Sequence, residues 1–316
     1  MRASILSYFL FADFYPKLGN AIASVVEAIP RGGVLIFLPS YSFLRKCIKS
    51  WNPQASRWSS HDDEGVDSDI WFRFLRSKGT VVVEPTGSQA DFEAAKERFS
   101  QSICRDGKAV LLAVFRGKMS EGISFNDDNA RAVICVGLPL PNSFDRSITA
   151  KKSYNDEQRK LRHKTSLLPG SEWYSQQAYR AIAQALGRCI RHAGDYGTVV
   201  LMDSRHCDDG APTDGLCRQH CNLPKWMRYS VRNLTMSTSR MPVPGNPPIY
   251  GGYAGLASEL GEFFTSAKTF SDAVVAKFQK EFAQAQAPER HAQHSFNRTT
   301  GEWSSKPLPS LTVKKE

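Results

Sequence analysis

Five short, mainly apolar runs constrain this chain more than any other feature. They are residues 34–38 (Val-Leu-Ile-Phe-Leu), 80–84, 109–115, 132–139 and 198–203. Each is rich in Val, Ile and Leu and lacks strict alternation, as strands buried on both faces of a parallel sheet do. Helical patterns separate them. Ile22, Val25, Val26 and Ile29 form one apolar stripe ahead of Pro30-Arg31-Gly32-Gly33, and others are expected over 42–51, 91–103 and 145–163. A further helix is expected from Trp173 through His192, because Ala178, Ile182, Ala185, Leu186, Cys189 and Ile190 recur at three- and four-residue spacing. Strands alternating with helices over short links predict an α/β fold, a right-handed parallel sheet with helices on both faces.

The domain so described spans 15–234, after a lead-in (1–14) that the sequence leaves unassigned. Residues 235–255 are rich in Ser, Pro and Gly and read as a linker. Over 256–287, Leu260, Phe263, Phe264, Phe270, Val274, Phe278 and Phe282 predict one or two helices whose aromatic stripe packs on the domain. The polar stretch 288–316 reads as a disordered tail. The apolar opening, residues 5–12, is cut short by Asp13, well below the roughly 20 residues of a spanning helix. No membrane segment is expected.

A formal net charge of +10 favours polyanionic partners. Residues 1–210 hold 28 basic and 23 acidic side chains, and 211–316 hold 13 and 8, so half of the excess lies outside the main domain. Charge alone is therefore a weak argument for nucleic acid. Seven cysteines, an odd number scattered among apolar elements, read as reduced intracellular thiols. His206, Cys207, Cys217, His220 and Cys221 lack the close Cys pairs of zinc knuckles, and the acidic run 61–64 reads as solvated. No metal site is expected.

Ligands of open parallel sheets gather beyond the carboxyl ends of strands. Ser40 and Tyr41 follow the first run and are placed to touch one, although Ser40 serves equally well as a helix cap. After the third run, Arg116-Gly117-Lys118-Met119-Ser120-Glu121-Gly122 is a glycine-bearing loop whose amides and cations suit phosphate, or a plain strand–helix connection. Arg205 after the fifth run either meets phosphate or pairs with Asp203. The most pointed stretch is Gln184-Ala-Leu-Gly187-Arg188-Cys-Ile-Arg191-His192. Placed on one helical face, Gln184, Arg188 and Arg191 present an amide and two fixed cations suited to a transferring phosphoryl group, or else form a solvated basic helix end.

Gln-x-x-Gly-Arg-x-x-Arg resembles motif VI of superfamily-two helicases. The longer match, with Asp195-Tyr196-Gly197, resembles the iron–sulfur DEAH-type DNA helicases of the Fanconi-anaemia group J kind. Residues 37–41 (Phe-Leu-Pro-Ser-Tyr) resemble motif IV and 116–125 resemble motif V, with Ser124 departing from the acidic or amide residue usual there; Glu84-Pro85 also recurs in the family. The resemblance covers about residues 15–235, and it implies a last short helix around Leu223 to Leu234 on which Trp226 packs. It implies a RecA-like second motor domain in which Arg188, Arg191 and Gln184 act catalytically on ATP. Glu121, Gly122 and Gly187 would lie toward the nucleotide, and Ser40, Tyr41, Arg116, Lys118 and Ser120 would contact single-stranded or forked DNA.

The resemblance also implies a nuclear role in DNA repair. ATP and Mg²⁺ would be shared with a first motor domain, which in the family also carries the iron–sulfur cluster. These 316 residues contain no Gly-x-x-x-x-Gly-Lys-Ser/Thr and no Asp-Glu-Ala-His, so the phosphate loop and the magnesium carboxylate must come from elsewhere. The chain is expected to be half of a motor, from a truncated gene or a split subunit. The alternative is a helicase-derived module that binds nucleic acid or a protein partner without turnover.

Overall fold

The computed structural model describes residues 13–52, 69–119, 127–162, 166–192, 194–206, 222–228, 230–234, 249–286, 295–297 and 302–304. All five expected strands are present: β1 Gly32–Leu38, β2 Val81–Val83, β3 Lys108–Val114, β4 Ala132–Val136 and β5 Thr198–Met202. They form one parallel sheet in the order β2-β3-β1-β4-β5. Central β1 is buried along its whole length, with Leu35 registered against Leu111 of β3 and Val133 of β4. Its side chains alternate between two cores, as the pleat requires.

Val34, Ile36 and Leu38 face the first core, with helices α1 Phe14–Ala28, α2 Tyr41–Trp51 and α3 Ile70–Lys78. Leu35 and Phe37 face the second, with α4 Gln89–Asp106 and α6 Gly170–Leu186. Helix α5 Arg146–Arg162 lies beside α6, joined to it where the Gly170 amide donates to Asp156 Oδ1 at 2.8 Å. Helix α3 had no counterpart in the sequence reading. Helix α4 starts ahead of the expected Asp91, because Ser88 and Asp91 close a capping box.

The short helix α7 Lys225–Arg228 packs through Leu223 and Met227, whereas Trp226 is 55% exposed, which corrects the expected packing of that tryptophan. The extension is a single helix, α8 Gly252–Gln286. Its aromatic stripe divides: Leu256, Leu260 and Phe264 join the first core, but Phe270 and Phe278 stand exposed. Within the tail expected to be disordered, Ser295–Asn297 (β6) pairs antiparallel with Glu302–Ser304 (β7). No described helix is long and apolar enough to cross a membrane.

Candidate functional site

The carboxyl edge of the sheet is organised by one carboxylate. Glu84, directly after β2, is 2% exposed. One oxygen accepts from the Val114 amide at 2.7 Å, and the other from the Met119 amide at 3.1 Å and the Tyr41 hydroxyl at 2.9 Å. It thereby ties the ends of β2 and β3 to the start of α2. A Cβ on Gly117 would stand 2.4 Å from Glu84 Oε1, so only glycine fits there. Burial, then the neighbouring Glu84, pushes the Tyr41 hydroxyl up to about 12. Ser40 caps α2, its Oγ accepting from the Phe43 amide at 3.2 Å.

The same edge turns its cations outward. Lys118 is exposed, and Arg116 adopts a left-handed backbone (φ 59°) that costs a non-glycine residue about 1–2 kcal/mol. Its guanidinium donates to the Gln177 carbonyl of α6. Ser120, Glu121 and Gly122 lie outside the described residues. Arg205 forms a fork on buried Asp203, at 2.7 and 2.6 Å, so the ion-pair alternative is the one present. Burial raises the Asp203 carboxyl, but Arg205 outweighs it and the group stays below its ordinary range.

Between this edge and α6 lies a cleft of about 280 Å³. Arg116, Gln177, Arg180 and Gln184 supply its polar wall, and Trp173, Pro141 and Ile148 its apolar one. Arg116 and Gln184, singled out in different motifs, thus share one space. Arg180 was missed. Its signal was its place one turn before Gln184 on the same helical face.

The arginine turn lies elsewhere. Helix α6 ends at Leu186 and does not continue to His192, which corrects the single helical face expected for Arg188 and Arg191. The Arg188 and Cys189 amides donate to Ala185 and Leu186 at 3.1 and 3.0 Å, tightening the chain out of the helix. Fully buried Cys189 then tucks beneath the sheet, its thiol donating to the Ala130 carbonyl at 3.4 Å. Burial pushes that thiol up to about 12.

This turn packs at the amino end of β4 and β5, across the sheet from Ser40, Tyr41, Arg116 and Lys118. Asp195, its side chain 1% exposed, holds it there. Oδ2 accepts from the Arg191 amide at 3.0 Å, and Oδ1 from the Tyr196 amide at 2.9 Å and Arg131 Nη1 at 2.7 Å. Arg131 stacks 4.0 Å over the Tyr196 ring and also binds Asp128, which Arg31 reaches from outside. Arg188 is half-buried and Arg191 exposed. Asp127, His192 and Asp195 bring potential metal ligands within 4.8 Å, but both Asp195 oxygens are taken by protein donors, so the group is a structural network. Of the zinc candidates, His206 is buried edge-on to Tyr179, with ring centres 6.0 Å apart; the other four lie outside the described residues.

The sequence model of the helicase C-terminal domain matches residues 22–213. The chain belongs to that family. It is 39% identical over 227 residues to the Fanconi anemia group J protein homologue of Gallus gallus, covering 70% of this chain and 16% of that protein. It is 36% identical over 220 residues to the regulator of telomere elongation helicase 1 homologue of Caenorhabditis elegans (69% and 20%), and 37% identical over 271 residues to that of Drosophila melanogaster (84% and 23%). The chain therefore spans about a sixth to a quarter of the length of these relatives. A solved chain described as XPD helicase aligns with 61% of this chain and 29% of its own, at 20% identity and a TM-score of 0.37. The five-stranded parallel sheet is the layer on which this helicase C-terminal domain is built.

Proposed function

We propose that this domain is the second motor lobe of an ATP-dependent DNA helicase. The carboxyl edge, with Ser40, Tyr41, Arg116, Lys118 and Ser120, grips the backbone of a single strand, as at a fork. The arginine turn, with Gly187, Arg188 and Arg191, faces a triphosphate and its Mg²⁺ held by a first motor domain; Glu121 and Gly122 complete the nucleotide side. Asp195, the buried carboxylate of the turn, is taken up by protein donors, which fits a metal held by that first domain. Gln184 lies between the two ends. The iron–sulfur cluster belongs to the first domain, and the work is nuclear DNA repair or maintenance.

One observation carries this reading. A single helix, α6, contributes Gln184 to the Arg116 cleft at the strand-gripping edge and leads directly into the arginine turn at the other. The 316-residue chain alone is expected to show negligible ATP hydrolysis. Joined to a first motor domain, Arg188→Ala is expected to lower kcat by about 10³-fold or more while DNA affinity holds. Brisk hydrolysis by the isolated chain, or equal loss of turnover and affinity, refutes the division of labour.

A further inference from the structure

We infer that the cleft between the carboxyl edge and α6 is a nucleotide subsite for single-stranded DNA, with Phe144 as its stacking platform and Arg180 as its phosphate contact. The inference rests on the strand-gripping role proposed for the carboxyl edge and extends it to residues outside the motifs. Phe144 is 91% exposed, the most exposed large apolar side chain among the described residues. It stands on the turn between Pro141 and Ile148, which both line the cleft. That turn is braced: the Phe144 amide donates to Asn142 Oδ1 at 3.1 Å, and Asp145 accepts from the Ser147 amide at 2.8 Å to start α5. A phenylalanine fixed in water beside a cleft is a face awaiting a flat, apolar partner.

The surrounding charge says which partner. Among the described residues, the charged groups lining the cleft are Arg116 and Arg180, with no carboxylate beside them. Arg180 is exposed and makes no ion pair among the described residues. Helix α5 carries six basic residues against Asp156 and Glu157, and Lys151 lies 5.9 Å from the Trp173 ring centre. Cations interleaved with aromatic faces are how single strands are held without base-specific contacts: phosphates meet the charges and bases stack. An acidic peptide would satisfy the cations but leave Phe144 without a flat partner. Duplex DNA would keep its bases stacked out of reach.

The test uses the full 316-residue chain and fluorescence anisotropy with labelled oligo(dT), with an abasic strand of equal length and a duplex as comparisons. Phe144→Ala is expected to weaken oligo(dT) binding about tenfold and to leave the abasic strand unchanged. Arg180→Ala should weaken both strands and lower the salt slope by about 0.7. Lys277→Ala, a cation on distant α8, should change nothing. Binding of oligo(dT) that ignores Phe144, or loses equal affinity on both strands, overturns the subsite while sparing the edge reading, which Lys118→Ala reports separately. Equal affinity for duplex overturns the subsite as well. Absence of any single-strand binding by the unaltered chain sinks both.

Discussion

The Asp195 network makes a quantitative prediction, because it joins burial, charge and backbone in one group. Asp195→Ala removes three accepted hydrogen bonds and leaves Arg131, its side chain 6% exposed, with one carboxylate in place of two. Breaking a buried ion pair costs about 3–5 kcal/mol. Asp128 stays within 2.8 Å of Arg131 Nε, so the low end applies, about 3 kcal/mol. With a urea m-value of about 2–3 kcal/mol/M, the unfolding midpoint should fall by about 1–1.5 M. Amide exchange at Arg191 and Tyr196 should quicken more than in β1, since those two amides lose their acceptor. The double variant Arg131→Met/Asp195→Leu should be less destabilised than either single change, because it removes both charges together and leaves Asp128 to Arg31. A single-variant cost under about 1 kcal/mol, or simple additivity in the double variant, would refute the reasoning.

Two further outcomes follow from single residues. Lys78 is 2% exposed and donates to the Ile29 carbonyl; burial, then Lys108, lowers its ammonium to about 8. The unfolded chain therefore binds more protons than the folded one between about pH 8 and 10, so stability should rise with pH across that window, and Lys78→Met should abolish the rise in urea titrations. Gly117→Ala places a methyl against Glu84 and Tyr41, and buried Met119 on the same turn leaves the loop little room to shift away. Both stability and oligonucleotide binding should weaken; unchanged affinity in the folded variant would separate the Glu84 hub from the strand-gripping role proposed for that edge.

What was legible in the sequence and what was not divide along physical lines. The strands were legible because parallel strands buried on both faces need continuous apolar runs, and turns at their ends carry Ser40, Arg116 and Arg205 to one edge wherever the sheet closes. Helix α3 was missed because its period is blurred: apolar Phe72 stands exposed, while Lys78 is buried on the same face as Ile70 and Phe74. The end of α6 was misplaced for a tertiary reason. Leu186 and Cys189 keep a helical spacing, but Cys189 is buried against Ala130 and Thr198, contacts that spacing does not reveal. Glu84 read as half of a dipeptide; its three hydrogen bonds depend on strand neighbours that only the fold brings together.

The placement of α6 explains why two distant groups of cations can belong to one device. Tyr179, Ile182, Ala185 and Leu186 lock one face of the helix into the second core, so it moves with the sheet as a rigid body. Its other face lines the cleft through Gln177, Arg180 and Gln184. From Gln177, which holds Arg116, to the helix end at Leu186, where the arginine turn begins, is about 14 Å at roughly 1.5 Å per residue. A lobe built this way cannot shift its arginine turn toward a neighbouring domain without carrying the cleft and the Arg116 loop along. Coupling between the two edges then needs no relay of side-chain changes, only the stiffness of one packed helix.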